Sequence, residues 1–444
     1  MIKMVMVFLL VTICNPLVTD ASAIGEEDLV SYIESRARPL EQTKNLDTLF
    51  DVAKDRKLVL LGEASHGTRE YYAWRDSISR ELISEHQFDF IAVEGDWASL
   101  YELNRYVKDL PGAAPSAEDV LMELDRWPLW MWGNEEIVAF AEWLRDYNDD
   151  LPYEEKAGFY GKDVYDERRS MKKILTFLDE HDSDMHAFVQ ERFACLKQHG
   201  DDIQQYAQHL AGGGADCSDE LSEVVGFLQD TFADNGDLSE KKIFYLEQNA
   251  LVVQHAEKFY RQSVLTQDAS GWNSRVDYMH MTVERLLDFY GADAQGITWA
   301  HNTHIGDARF TEMSQRGQHN IGQLSRLEHG PDNVFLIGFA TYTGNVKAGA
   351  QWEGRREKME VPEARDNSIE SLLEKTGLSR FYLAFNEQDR SHQELNQPYG
   401  NRAIGVVYNP QLDHRQNYVN TVVPLRYDAL LFFRETEALT PLFL

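Results

Sequence analysis

The segment KLVLLGEASHG, residues 57–67, decides the fold because its apolar run ends abruptly in ionisable side chains. The run KLVLLG is typical of a buried β-strand. A second such run, FDFIAV, follows at residues 88–93, and residues 68–85 between them have the periodicity of an amphipathic helix. Strand, helix and strand in this order form a βαβ unit, which predicts a parallel sheet.

The rest of the chain predicts more strands of the same sheet and a helical insertion. Helical patterns occur near residues 97–109, 116–124 and 134–148, and long amphipathic helices fill residues 167–291. Further strand patterns are FYGKDVY (159–165), GITWAH (296–301), NVFLIGFATYT (333–343), FYLAF (381–385), AIGVVY (403–408) and YDALLFF (427–433). We therefore predict an α/β fold with a mixed, largely parallel β-sheet flanked by helices and an inserted helical subdomain. The expected division is 24–166 and 292–444 for the two parts of the α/β core and 167–291 for the helical subdomain.

Residues 1–23 have the features of a signal peptide. Lys3 precedes an apolar stretch at residues 4–13, and Ala21, Ser22 and Ala23 form a small-residue cleavage pattern. Later segments fall short of the roughly 18 apolar residues that a membrane-spanning helix needs. We expect a periplasmic or secreted protein without a membrane span after the signal peptide is removed.

Charge and cysteine content narrow the class of protein further. The formal net charge of -31 would repel phosphate backbones, which argues against a nucleic-acid partner.

Removal of the signal peptide would also remove Cys14, leaving Cys195 and Cys217. These two residues could form one disulfide or remain separate thiols, because the sequence does not give the distance between their Cα atoms.

Ionisable side chains follow four of the predicted strands. In open parallel sheets the ligand crevice lies outside the carboxyl ends of the strands, so residues distant in sequence can meet there. The residues at these strand ends are Glu63, His66, Glu94, Asp163, His301 and His304.

This set of residues suits hydrolysis by an activated water molecule. The chain has no G-x-S-x-G, H-E-x-x-H, G-x-x-x-x-G-K-[ST] or G-x-G-x-x-G motif. His66 could take a proton from water while Glu63 or Glu94 fixes its tautomer from the other ring nitrogen. A cation or a second histidine would then stabilise the oxyanion. The candidates for this task are Arg75, Arg275, His301 and His304.

Two other hypotheses fit the same residues. His66, His301, His304 and a glutamate would also satisfy zinc or manganese, which would make the protein a metal-dependent hydrolase. A noncatalytic envelope protein could instead bind a glycan or a small amphiphile in the same cleft. A Ser65 nucleophile is disfavoured because neighbouring side chains on a turn diverge.

Several longer blocks of the sequence resemble the erythromycin esterase family. They are LLGEASHGTREYYAWRDSISRELI, FIAVEGDWAS, GFYGKDVYD, NSRVDYMHMTVERLL and WAHNTHIG. The resemblance implies a mixed α/β core, a helical subdomain and a deep cleft. It also implies hydrolysis of a macrolide lactone, an antibiotic-resistance activity, without a metal or another cofactor. By position, His66 matches the general base, Glu63 and Glu94 its acidic neighbours, Arg75 a cleft arginine, and His301 and His304 the later histidines.

The segment RWPLWMWG, residues 126–133, bears on the substrate. Trp127, Trp130 and Trp132 could bind a large apolar macrocycle and its amino sugar, or they could fill the seam between sheet and helices. With Asp163 and Arg275, these tryptophans are the predicted substrate-binding residues. The expected partner is a small-molecule ester such as a macrolide.

Overall fold

A computed structural model describes residues 21–200, 203–233 and 238–442. In this part of the chain, nine strands form one sheet in the order β1-β8-β11-β6-β2-β5-β3-β4, with β7 paired to β6, and β9 and β10 form a separate ribbon. The strands are β1 (Arg38–Pro39), β2 (Leu58–Leu61), β3 (Phe90–Asp96), β4 (Gly158–Asp163), β5 (Gly296–Trp299), β6 (Val334–Gly349), β7 (Arg356–Val361), β8 (Arg380–Ala384), β9 (Tyr399–Arg402), β10 (Tyr418–Thr421) and β11 (Ala429–Thr436).

Helices cover both faces of this sheet and extend beyond it. They are α1 (Ala21–Arg36), α2 (Asp47–Ala53), α3 (Arg69–Ser84), α4 (Trp97–Val107), α5 (Ala117–Met122), α6 (Glu135–Asp149), α7 (Glu167–His181), α8 (Ser183–Lys197), α9 (Ile203–Ala211), α10 (Ser218–Ala233), α11 (Glu240–Leu265), α12 (Ser270–Tyr290), α13 (Asn302–Ile305), α14 (Ile321–His329), α15 (Ile369–Glu374), α16 (Glu387–Ser391), α17 (Asp413–Gln416) and α18 (Val423–Arg426).

The central strands are apolar on both faces because helices cover both. All four residues of β2 are buried, and they alternate between two cores. Val59 and Leu61 join the core beneath α3 and α6, whereas Leu58 and Leu60 join the core beneath α12 and α15. Strand β2 pairs in parallel with both β5 and β6. The α/β class and the largely parallel sheet predicted from sequence are therefore confirmed.

Helices α7 to α12 occupy the region in which the sequence predicts a helical subdomain. Part of this region has its own apolar core, formed by residues between Met171 and Val253. Helices α11 and α12 also contribute to the core of the sheet, through Val252 and Met279 among others. The helical region is thus continuous with the α/β core, and its limits at 167 and 291 stay a prediction.

A disulfide joins Cys195 on α8 to Cys217, just before α10. Their Cα atoms lie 5.8 Å apart, within the roughly 4.4–6.8 Å that a disulfide spans. The structure thus selects the paired state between the two that the sequence leaves open.

One predicted strand is wrong. Residues 403–408 make only isolated bridges, since their backbone groups bind the loop after β2 and the last residue of β6 and do not pair continuously with one strand. The N–H of Ile404 donates to the carbonyl of Ala64 at 2.8 Å, and the N–H of Tyr408 donates to that of Gly349 at 2.9 Å. This segment crosses the carboxyl end of the sheet, and its apolar side chains pack there.

The predicted signal peptide lies mostly outside the described residues, which begin at residue 21. Among the helices of residues 21–200, 203–233 and 238–442, none combines the length and the apolar character required to cross a bilayer.

Loss of the disulfide should weaken the helical region. The bond closes a loop of 22 residues, for which chain entropy alone predicts a contribution of about 3 kcal/mol to the free energy of unfolding. We expect reductant to lower the denaturant midpoint of the wild type but not that of a Cys195→Ala/Cys217→Ala variant. Two reactive thiols in the unreduced protein would contradict the pairing.

Candidate active site

Four neighbouring parallel strands, β2, β5, β3 and β4, end at the same edge of the sheet. Glu63 and His66 follow β2, and His301 and His304 follow β5. Glu94 lies within β3, and Asp163 is the last residue of β4. The structure therefore brings together the ionisable residues that the sequence places at strand ends.

Two glycines permit the close approach of chain segments at this edge. A Cβ atom on Gly62 would overlap the side-chain oxygen of Asn302, and one on Gly67 would overlap the carbonyl oxygen of Lys347. The Asn302 N–H donates to the carbonyl of Glu63 at 2.8 Å. The loops after β2 and β5 are thus fastened to each other, which fixes the positions of the side chains they carry.

Glu63 lies between His66 and Arg75. Its Oε1 atom is 2.9 Å from Nδ1 of His66, and its Oε2 atom is 3.0 Å from a guanidinium nitrogen of Arg75. Arg75 is fully buried on α3, with the ring of Tyr72 4.3 Å and that of Trp299 5.0 Å from its guanidinium carbon. Arg75 therefore lies behind Glu63 and acts as a positioning residue.

His66 uses one ring nitrogen to bind Glu63 and directs its ring toward a cavity. With Nδ1 held by Glu63, Nε2 is the atom available to a ligand. Burial opposes the charged ring, but the hydrogen bond that His66 donates to Glu63 and the charges of Glu94 and Glu63 prevail and raise the pKa of His66 above its usual value of 6.5.

Glu94 is the second carboxylate of the site. Its Oε1 atom lies 2.9 Å from Nη2 of Arg275 and 3.3 Å from Nε2 of His304, and Oε2 accepts the backbone N–H of His301 at 2.8 Å. Burial alone would raise the pKa of Glu94, yet the neighbouring His304, His66 and Arg275 hold it well below its usual value. Glu94 is therefore a buried anion.

Arg275 reaches the site from α12. It donates to Asp163 through Nε at 2.8 Å and through Nη2 at 2.6 Å, and Nη1 lies 3.2 Å from Nε2 of His304. This paired arrangement lowers the pKa of Asp163 despite its burial. Arg275 thus links the helical region to β3 and β4.

The two later histidines occupy different places around Glu94. The ring of His301 lies 4.9 Å from that of His66, and the ring of His304 stacks on Trp272 at 4.5 Å. Burial lowers the pKa of both, and in His301 the charge of His66 lowers it further. Both rings therefore favour the neutral form, whereas the pKa of His66 is shifted in the opposite direction.

The cavity beside His66 has a volume of about 150 Å³. Of the predicted site residues it is lined by His66, Glu94, Asp163, Arg275 and Trp132. Trp127 and Trp130 line a separate depression, and Trp127 also packs against Trp352, which lines the cavity. Trp132 alone of the three predicted tryptophans thus faces the cavity.

The lining residues that the sequence analysis missed include Asp96, Arg126 and Tyr165. Asp96 forms a two-pronged ion pair with Arg126 at 2.6 and 2.7 Å, and the Tyr165 ring lies 4.5 Å from the Arg126 guanidinium. The position of Asp96, two residues after Glu94, could have identified it. The predicted strand ended at residue 93, whereas β3 extends to residue 96, so Asp96 is the residue at the true strand end. Arg126 had no comparable signal, because it lies in a loop.

A fully buried lysine lies close to this group of charges. Nζ of Lys162 donates to the carbonyl of Trp299 at 3.1 Å. Burial lowers the pKa of Lys162 to about 7, although Glu94 and Asp163 favour its charged form. Lys162 therefore tunes the local charge from behind the site.

A metal ion would have to share carboxylates that already bind other residues. Ligand atoms of Glu63, His66 and Glu94 lie within 4.8 Å of one another, and this is the metal-compatible group found in the described residues. His301 and His304, which the sequence suggested as ligands, do not belong to it. Glu63 Oε1 already binds His66, and Glu94 Oε1 binds Arg275. An ion would therefore break existing contacts.

Solved structures share this fold at low sequence identity. A succinoglycan biosynthesis protein is 21% identical with a TM-score of 0.75, and the match covers 94% of this chain and 98% of that one. A protein from Bacillus cereus is 18% identical with a TM-score of 0.77, covering 94% and 99%. A mutant of the erythromycin esterase EreC in its open conformation is 15% identical with a TM-score of 0.61, covering 90% and 97%.

A family model gives the stronger assignment. The model described as erythromycin esterase matches residues 83–436, which is most of the chain and includes Glu94, Asp163, Arg275, His301 and His304. The protein therefore belongs to the erythromycin esterase family.

Proposed function

We propose that this protein hydrolyses a carboxylic ester with a water molecule activated by His66. Family membership suggests a hydrolase. The observation that carries the proposal is the buried Glu63–His66 hydrogen bond, which occupies Nδ1 and leaves Nε2 toward the cavity. A histidine held in this way is suited to act as a general base.

The reaction needs no covalent bond to the protein. His66 Nε2 removes a proton from water while the water oxygen attacks the ester carbonyl carbon, and the carbonyl π electrons move to oxygen. The resulting imidazolium is stabilised by Glu63 and Glu94. Collapse of the tetrahedral intermediate then breaks the bond to the leaving alkoxide, which takes the proton back from His66.

Arg275 is the best-placed donor for the oxyanion. Its guanidinium carries five N–H groups. Four of these are accounted for by two contacts to Asp163, one to Glu94 and one to His304. The remaining N–H belongs to Nη1, and the arginine lines the cavity with 14% of its side chain exposed. A charge-assisted donor of this kind stabilises developing negative charge.

A macrolide lactone is the substrate class that the family name suggests. The cavity of about 150 Å³ is smaller than the roughly 300–1,000 Å³ of pockets that enclose drug-sized ligands. We propose that the ester group enters the cavity while the rest of a large substrate lies outside it, over Trp352 and Val406. A compact ester is the alternative.

Replacing His66 tests the general base. We expect His66→Ala to lower kcat by about 100-fold to 10,000-fold, because proton removal from water is lost. The measurement is mass spectrometry of erythromycin and of an aryl acetate incubated with the protein, following addition of one water. His186→Ala, on α8, is the matched control, and circular dichroism checks folding. Wild-type turnover by the His66 variant would refute the mechanism.

Replacing Glu63 tests the origin of the pH dependence. A general base acts when neutral, so a raised pKa of His66 places the acid limb of the kcat/KM profile above pH 6.5. Glu63→Gln removes the negative charge that favours the imidazolium, so the midpoint should shift to lower pH and kcat should fall. Glu328→Gln, an exposed site, should leave the profile unchanged. An unchanged midpoint in the Glu63 variant would show that His66 does not govern this limb.

A metal-dependent hydrolase is the second candidate, supported by the proximity of Glu63, His66 and Glu94. Because these carboxylates already bind His66, Arg75 and Arg275, we expect dialysis against a chelator to leave activity unchanged. Elemental analysis of the same sample supplies the control. Stoichiometric metal, with activity lost on its removal and restored on its return, would favour the metal mechanism.

A further inference from the structure

A second cavity lies on the other side of α4 from the candidate active site. It is a groove of about 800 Å³ between α4, α7 and the beginning of α11. Ser99 and Leu100 on α4 line the catalytic cavity, whereas Tyr101 and Arg105 on the same helix line the groove. We refer to it as the α4–α7–α11 groove.

The α4–α7–α11 groove is positively charged although the protein is strongly acidic. The chain has a net charge of -31, yet only two acidic side chains, Glu102 and Glu180, line the groove in the described part of the protein. Six cationic side chains line it: Arg105, Arg169, Lys172, Lys173, Lys241 and Lys242. Concentration of one charge sign in a concave surface attracts ligands of the opposite sign.

Carboxylates neutralise only part of this charge. Four of the six cations have carboxylate partners. Glu102 pairs with both Arg105, at 2.8 Å, and Lys173. Arg169 pairs with Asp125 at 2.7 Å and with Asp166 at 3.0 Å, and Lys241 pairs with Glu154 at 3.4 Å. Within residues 21–200, 203–233 and 238–442, Lys172 and Lys242 form no ion pair with a carboxylate closer than 4 Å. These two lysines come from different helices, α7 and α11, and face one groove.

Lys242 lies beside aromatic rings and near other cations of the groove. Its Nζ atom lies 5.1 Å from the ring centre of Phe177 and 5.7 Å from that of Tyr245. Burial, followed by the charges of Arg105 and Lys173, lowers the pKa of Lys242 although Glu180 opposes the shift. An anion bound in the groove would relieve this repulsion between cations.

The groove suits a small ligand better than a polymer. Its volume of about 800 Å³ falls within the roughly 300–1,000 Å³ typical of small-molecule sites. An extended polyanion would continue beyond the groove onto a protein whose net charge is -31 and would be repelled. A compact anion would meet only the local charge, because salt screens exposed charges beyond about 8–10 Å.

We propose that the α4–α7–α11 groove binds a compact, multiply charged anion whose separate negative groups pair with Lys172 and Lys242. Organic polycarboxylates and phosphate esters share this chemistry. The half-buried rings of Tyr101 and Tyr153 provide apolar surface for the carbon skeleton. This site is independent of the proposed ester hydrolysis.

The test is isothermal titration calorimetry of the full chain at low ionic strength. Citrate represents polycarboxylates, pyrophosphate represents phosphates, and acetate is the singly charged comparison. We expect citrate or pyrophosphate to bind at least about tenfold more tightly than acetate. The preferred probe identifies the class of ligand.

Reversing the charge of Lys172 and Lys242 tests whether the anion binds in the groove. Lys172→Glu/Lys242→Glu should weaken the preferred anion by at least tenfold. The double variant Lys197→Glu/Lys358→Glu changes net charge equally at exposed sites outside the groove and should retain binding. If the double charge reversal disturbs folding, the single variants Lys172→Ala and Lys242→Ala are measured instead. Absence of binding by all three probes, or equal loss in the control variant, would overturn the proposal.

Discussion

The candidate site depends on one buried carboxylate, Glu63, held between a cation and an imidazole. Removing a carboxylate from water is costly unless hydrogen bonds and opposite charge replace its hydration. Arg75 supplies the charge from α3, and His66 supplies the hydrogen bond from the same loop. Glu63 in turn fixes the orientation of the His66 ring and raises its pKa, which favours the protonated form. The fold around β2 thus prepares His66 for proton transfer.

The same pattern of alternating charge extends across the other strand ends. Glu94 is surrounded by Arg275, His304 and the backbone of His301, and Asp163 is paired to Arg275. Each anion therefore has a cation or a hydrogen-bond donor as its neighbour. Because Arg275 comes from α12, the helical region contributes directly to the charge balance of the sheet edge. A shift of α12 against the sheet would therefore change the ion pairs of Glu94 and Asp163.

Much of this arrangement could be predicted from the sequence because strand patterns and strand ends are local signals. The apolar runs at 57–62 and 88–93 located β2 and β3, and the parallel topology then implied that Glu63, His66 and Glu94 would meet. The segment 403–408 has the composition of a strand, but its backbone hydrogen bonds are divided among loops and the last residue of β6. Arg126 joins the cavity through long-range pairing with Asp96, which no local pattern reveals. Likewise, burial of Arg75 behind Glu63 became evident only from packing.

The segments that cover the cavity are separate from the strands that carry its ionisable residues. The ionisable side chains at the strand ends belong to β2, β5, β3 and β4 or to the loops that follow them, whereas Trp352 comes from the β6–β7 connection and Val406 from the crossing segment at 403–408. Substitutions in these two covering segments can therefore alter which molecules enter without touching the buried ion pairs below. Such a division lets a lineage diversify the molecules admitted to the cavity while the buried charged residues are inherited intact.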